Sequence, residues 1–114
     1  MGLMYMSNPE IDEDGNKFWY NEQGKLHRVD GPAIKWWNGD KEWYLNGQKH
    51  RLDGPAIEYS YGTKFWYLNN QLHREDGPAI EDANGTNEWW LNGKEYTEEE
   101  FALLQFMNGV NVNV

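Results

Sequence analysis

Residues 27–37 read HRVDGPAIKWW, residues 50–60 read HRLDGPAIEYS and residues 73–83 read HREDGPAIEDA. A phrase written three times at a step of 23 residues marks a repeat architecture, in which each unit buries a face of its neighbour. The tryptophans keep the same beat: Trp19, Trp43, Trp66 and Trp89 lie 24, 23 and 23 residues apart. One full unit reads K-[FE]-W-Y-L-N-G-x-x-H-R-x-D-G-P-A-I-x-x-x-x-G-T. The chain opens on half a unit, where PEIDEDGNKFWY matches PAIEYSYGTKFWY with one residue missing, and it leaves the pattern after EWWLNGK.

Each unit alternates at the period of a strand. In KFWYLN, Trp66 and Leu68 point one way, and Phe65 and Tyr67 the other. Trp43 with Leu45 and Trp89 with Leu91 repeat this, and Ile34, Ile57 and Ile80 follow each GPA. Between the apolar stretches stand DGN (14–16), NGD (38–40), YGT (61–63) and NGT (84–86), which read as tight hairpin turns. This predicts four hairpins, near 10–21, 33–45, 56–68 and 79–91, joined by linking loops such as NGQKHRLDGP. A lone hairpin is marginal in water, so the units must stack. The expected fold is mainly β: tandem 23-residue hairpins forming a twisted meander sheet or short solenoid, capped by one C-terminal helix. The helix signal is Thr97 with Glu100 three residues on, a capping box. Tyr96 and Phe101 sit where a hydrophobic staple falls, Phe101, Leu104 and Met107 share a face, and Asn108-Gly109 reads as the stop. The whole, 1–114, reads as one domain. It comprises a half repeat (9–21), repeats from about 17, 41 and 64, a final hairpin (79–93), a helical cap (97–108) and a tail (109–114) whose VNVNV alternation suggests an edge strand.

The skeleton W-x-x-N-G-x-x-H … G … G at this period resembles MORN repeats, and more closely their bacterial variants, over roughly residues 9–94. Trp43, Asn46, Gly47, His50 and Gly62 fall on the motif places, as do their equivalents one unit later. The usual G-x-G after the histidine is replaced by R-x-D-G-P-A, as at Arg51 to Ala56, a form that resembles repeat proteins of bacteria and their viruses. The resemblance implies β-hairpin arrays that serve as interaction platforms.

The recurring His, Arg and Asp invite a chemical reading. His27, His50 and His73 stand one unit apart, which in stacked hairpins is two strands, or about 9–10 Å. Zinc ligands all lie about 2 Å from one ion, so these three do not share a metal. A nucleophile for catalysis is wanting: there is no cysteine, and Ser7 and Ser60 do not recur. Adjacent acids such as Glu75-Asp76 and Glu81-Asp82 read as solvated turns. A catalytic set is needed once, whereas three copies at a structural period point to a structural task. Accordingly no catalytic, cofactor or metal site is expected. Asp30, Asp53 and Asp76 are expected to cap the turn before Gly-Pro by accepting backbone N–H groups. Arg28, Arg51 and Arg74 should offset acids of neighbouring units or lie along the tryptophans, and the histidines should bond backbone between units.

Function is then expected where the units differ. Trp36-Trp37, Tyr59 and Tyr61 give the middle repeats an aromatic excess. With Ile34 and Trp36 facing in, Trp37 faces out, and an exposed Trp beside Tyr is a common interface anchor. Glu10, Asp12, Glu13 and Asp14 form one acidic patch, and Glu95, Glu98, Glu99 and Glu100 another. A formal net charge of −9 disfavours nucleic-acid phosphates and anionic lipid, and points to a protein partner with a basic surface. The opening MGLMYMSNPEIDEDG has no secretory pattern, and no stretch has the length of a membrane span. A cytoplasmic protein follows, in the host cytoplasm if phage-encoded, and a homo-oligomer is compatible with the sequence. These features suggest a non-enzymatic protein-binding module with Trp37, Tyr59, Tyr61, Asp12, Glu13 and Asp14 at its interface. The sharper form is a phage or mobile-element inhibitor that occludes a basic or nucleic-acid-binding surface of a defence enzyme. The alternatives are a small-ligand binder with aromatic cages between repeats, since WYLNG is similar to the WYYLN of cell-wall choline-binding repeats, and an antitoxin-like repeat protein.

Overall fold

The computed structural model describes residues 8–112. In chain order its strands are β1 (Glu10–Ile11), β2 (Lys17–Phe18), β3 (Ile34–Lys35), β4 (Lys41–Glu42), β5 (Tyr44–Leu45), β6 (Gln48–Lys49) and β7 (Ile57–Glu58). There follow β8 (Lys64–Phe65), β9 (Tyr67–Leu68), β10 (Gln71–Leu72), β11 (Ile80–Glu81), β12 (Asn87–Leu91), β13 (Lys94–Tyr96) and the helix α1 (Glu98–Val112). Nine strands form one antiparallel meander in the order β1-β2-β3-β4-β7-β8-β11-β12-β13. The expected architecture, mainly β with a C-terminal helix, is the one observed.

Register follows from the isoleucine after each GPA. Ile34 lies opposite both Phe18 and Glu42, Ile57 opposite Glu42 and Phe65, and Ile80 opposite Phe65 and Glu88. Directly paired residues share a face, so a row from Phe18 to Glu88 crosses the sheet on one side. On that side Trp36 and Tyr44 both donate to Glu42, at 2.7 and 2.8 Å. The other side carries the repeated tryptophans.

The linking loops depart from expectation. After the second, third and fourth long hairpins the chain folds into a second, shorter hairpin, β5 with β6, β9 with β10 and β12 with β13, and after the first Tyr20 and Leu26 form a single bridge. Asn46 (φ 50°) and Gly47 (φ 82°) are both left-handed, which is the two-residue type I′ turn whose twist matches paired strands. Asn69-Asn70 and Asn92-Gly93 repeat it. Each unit is therefore a long and a short hairpin, and the chain bends between them at the tryptophan. The amide of Trp43 donates to Ala56 of the long-hairpin sheet, and its carbonyl accepts from His50 of the short one.

The HRxDGPA phrase is the joint between units. The Nδ1 atoms of His27, His50 and His73 accept the backbone N–H of Asn46, Asn69 and Asn92 at 2.8–3.0 Å, so each ring holds the next unit's type I′ turn. These Nδ1 atoms are unprotonated acceptors. Arg28, Arg51 and Arg74 lay their guanidinium carbons 3.8–3.9 Å from the ring centroids of Trp19, Trp43 and Trp66. Each guanidinium also donates to the carbonyl of its own unit's proline, and Arg51 and Arg74 reach Glu58 and Glu81 as well. The aspartates differ from expectation. Asp30, Asp53 and Asp76 accept from the arginine Nε at 2.9–3.0 Å and fix that side chain, instead of capping the turn. A charged, planar donor two residues earlier outcompetes the backbone amides for the carboxylate. The glycine leaves room for the arginine: a Cβ on Gly54 would lie 2.9 Å from the Arg51 guanidinium carbon and would displace it. The alanine is enclosed completely, with Ala33, Ala56 and Ala79 all 0% exposed.

His50→Ala is expected to cost about 1–2 kcal/mol in urea unfolding, because the Asn69 amide loses its acceptor. A chelator should leave the melting temperature of the parent protein unchanged. A fall of several degrees would mean instead that the rings hold a metal.

The sheet is a single layer. The molecule measures 51 × 35 × 18 Å. It exposes 7610 Å², against roughly 6,500 Å² for a compact monomer of 13.5 kDa. The expected ladder of buried tryptophans is accordingly only partly enclosed: Trp19 is buried, and Trp43, Trp66 and Trp89 are half-buried. Among the described residues no second layer covers them, and over Trp19, Trp43 and Trp66 the cover is the arginine of the joint.

After Trp89 the phrase is absent, and α1 packs on β12 and β13 in its place. The capping box forms as expected: Thr97 N donates to Glu100 Oε1 at 2.9 Å, and Glu100 N donates to Thr97 Oγ1 at 3.0 Å. Phe101 is buried, while Met107, expected on the inner face, is exposed. The helix passes through Asn108-Gly109 to Val112, overturning the expected stop and the edge strand over 110–112. Glycine costs a helix about 1 kcal/mol but keeps its N–H, so it need not end one. Residues 113–114, the rest of that tail, lie outside the described residues.

Candidate functional site

The long hairpins close through one repeated turn. Trp36 N donates to Asp40 O, and Gly39 N donates to Trp36 O; Gly39 has φ 96°. This is a type I turn with a glycine bulge, and residues 12–16, 59–63 and 82–86 repeat its hydrogen bonds. The two residues at each tip are Glu13-Asp14, Trp37-Asn38, Ser60-Tyr61 and Ala83-Asn84.

Neighbouring tips are tied together by the residue after each turn glycine. Asn16 Oδ1 accepts the Trp37 amide at 2.7 Å, Asp40 Oδ1 accepts the Ser60 amide at 2.7 Å, and Thr63 Oγ1 accepts the Ala83 amide at 3.0 Å. Asn16 and Thr63 are buried despite being polar, and these bonds satisfy them. The four tips therefore form a registered line along one edge of the sheet. Side chains far apart in sequence, Glu13, Asp14, Trp37 and Tyr61, come onto that line.

Its apolar members protrude. Trp37 is 73% exposed and Tyr61 66%, because each occupies a turn tip with no strand beyond it. Tyr61 stacks on Tyr59, with centroids 5.2 Å apart and planes at 15°, and Tyr59 meets Phe65 edge-on at 5.9 Å. The Tyr61 ring is thus buttressed, whereas among the described residues Trp37 is anchored only through its backbone. Burial, with the Glu42 carboxylate next, raises the Tyr59 phenol above its ordinary value. It remains a neutral hydrogen-bonding group at physiological pH.

The acids divide by role. Asp12 is engaged within its own turn: its carboxylate accepts from the amides of Asp14 and Asn16 and from Asn16 Nδ2, at 2.9–3.0 Å. These bonds, that from the Asn16 side chain foremost, hold Asp12 below the usual carboxylate range. Among the described residues Glu13 and Asp14 make no such side-chain bonds, and both face solvent. The second acidic patch is not part of this edge. Glu95 and Glu98–Glu100 belong to β13 and α1, at the opposite end of the meander from β1, and Glu100 serves the capping box.

Among the described residues, no group of three or more His, Cys, Asp or Glu side chains is placed to hold a metal ion. No helix among them is long and apolar enough to cross a membrane. Compared with family models, with curated proteins and with solved structures, the chain matches none.

Sequence reasoning missed two features of the surface. Val29 and Leu52, the variable residues of the first two HRxDG phrases, are 76% and 84% exposed. Leu103, Phe106 and Met107 form an exposed stripe on the outer side of α1. The first was legible: once every other letter of the phrase has a structural task, an apolar residue at the free position stands out.

Proposed function

We propose that the chain is a non-enzymatic protein-binding module whose turn-tip edge docks a partner with a basic surface. The observation that carries this reading is the line of tied tips, which sets two protruding aromatic rings beside free carboxylates on a stiff edge. Exposed Trp and Tyr make good anchors because they contribute large contact area at low entropic cost. The net charge of −9 supplies the attraction. The resemblance to MORN-type interaction platforms points the same way. In its sharper form, the edge covers a nucleic-acid-binding surface of its partner, as a phage or mobile-element inhibitor or an antitoxin would.

Cages for a small cation between repeats are a weaker reading. The faces of Trp19, Trp43 and Trp66 are already taken by Arg28, Arg51 and Arg74.

Charge governs chiefly the association rate, and buried rings the lifetime. Binding kinetics against a captured partner at two salt concentrations therefore separate the parts of the edge. Glu13→Gln with Asp14→Asn should slow association and flatten its salt dependence, while Asp12 is left intact to preserve its turn. Trp37→Ala should speed dissociation by about tenfold. Competition by nucleic acid for the same partner tests the sharper form. Salt-independent affinity, with both variants binding like the parent, would refute the reading.

A further inference from the structure

The face of the sheet that bears the HRxDG joints carries a second surface, separate from the turn tips. In the first two units the side chain between Arg and Asp is an aliphatic that makes no polar bond in the joint, whereas in the third unit Glu75 stands there with its carboxylate 3.1 Å from His73 Nε2. The two aliphatics, Val29 and Leu52, are 76% and 84% exposed. A single exposed aliphatic residue is ordinary, but these two stand at equivalent places in successive units and flank the same groove.

They flank grooves. Between the first and second joints lies a groove of about 590 Å³ with Val29 and Leu52 on its sides and Trp43 and Leu45 in its lining. Between the second and third joints lies its equivalent, about 660 Å³, with Leu52 and Glu75 on its sides and Trp66 and Leu68 in its lining. The charge exposed on the rims is of one sign. The carboxylates of Asp30, Asp53 and Asp76 are 86–87% exposed, whereas the arginines they hold are only 19–20% exposed and are committed to their joints. The surface therefore alternates hollow and anionic rim, the first hollow mainly apolar and the second more polar, with an apolar floor of Trp66 and Leu68 beside His73 and Glu75. Beyond the third joint the row is closed, because Gln105 of α1 donates to the Glu75 carbonyl.

The step of the row selects the shape of its complement. Equivalent points in successive units are two strands apart, about 9–10 Å. A polyproline II segment returns to the same face every three residues, after about 9.3 Å. We propose that the two grooves bind a short polyproline II segment of a protein partner, with an apolar side chain at every third position and Lys or Arg beside it. The apolar side chains enter the successive hollows, and the cations lie against Asp30, Asp53 and Asp76. Two grooves between three rims span two steps, about 19 Å, or roughly six residues of such a segment.

The probe is a fluorescein-labelled nonapeptide of three Lys-Leu-Pro units, measured by fluorescence polarisation on the full chain at physiological salt. The control is a scrambled peptide of the same composition, which keeps the charge and loses the period. The proposal predicts binding at least tenfold tighter for the periodic peptide. It also predicts a loss of at least tenfold for Val29→Lys with Leu52→Lys, both fully tolerated by the fold as judged by an unchanged melting temperature. Trp37→Ala should leave this binding unaltered, which keeps the result independent of the turn-tip reading. Equal binding of both peptides, no binding of either, or indifference to the paired lysine substitution would each overturn the proposal. Loss of peptide binding on Trp37→Ala would assign the peptide to the turn tips instead.

Discussion

Trp66→Ala is expected to lower stability by about 3 kcal/mol, the low end of the range for a large aromatic truncation, because the ring is half-buried. The loss comes from two sides. The indole shields the sheet at the bend between the long and short hairpins, where Trp66 N donates to Ala79 and Trp66 O accepts from His73. It is also the surface on which Arg74 rests, 3.9 Å from the ring centroid, so truncation strips that guanidinium of its support. Urea unfolding measures the change. Trp37→Ala provides the comparison: a ring of the same size, 73% exposed on a turn tip, should cost less than about 0.5 kcal/mol. A cost below about 1 kcal/mol at Trp66 would mean that the tryptophan row does not hold the units together.

The large features of this fold were legible because they are local. The period of 23 residues, the alternation of Trp and Leu against Phe and Tyr, and the four glycine-bearing turns each rest on neighbouring residues, and each survives in the structure. So does the Thr97–Glu100 capping box. What was not legible depends on pairings between units. Asn46-Gly47 is a strong hairpin signal in its own right, yet its strands are two residues each and gain their stability from His27 in the previous unit. The acceptor of each arginine pair was misassigned for a similar reason: the Asp side chain faces an amide-rich turn in sequence, but a stacked guanidinium in space. The helix stop failed because Asn108-Gly109 is a permissive signal rather than a barrier.

The candidate site was legible as a composition but not as a place. Trp37 and Tyr61 are conspicuous against Ala83 and Asn84 in the last turn. Their meeting with Glu13 and Asp14 depends on Asn16, Asp40 and Thr63, each reaching the next turn's backbone. Nothing in a single turn announces that bond. Asp12 shows the reverse case, since it resembles its acidic neighbours in sequence and is set apart only by the bonds it accepts.

The second large effect concerns the joint itself. Gly54→Ala is expected to cost about 2 kcal/mol, although the new methyl group is small. Its Cβ would stand 2.9 Å from the Arg51 guanidinium carbon, and that group cannot step aside without leaving Trp43, Asp53, Glu58 and the Pro55 carbonyl. The penalty is thus the loss of the arginine's arrangement, not an intrinsic intolerance of alanine at that backbone position.

A double-mutant cycle isolates this claim, that HRxDG is a structural joint in which glycine exists to admit arginine. Gly54→Ala is measured by urea unfolding in the parent chain and in the Arg51→Ala variant, whose joints at Arg28 and Arg74 remain intact. With the guanidinium gone, the cost of Gly54→Ala should fall below about 0.5 kcal/mol. The same cost in both backgrounds would contradict the account.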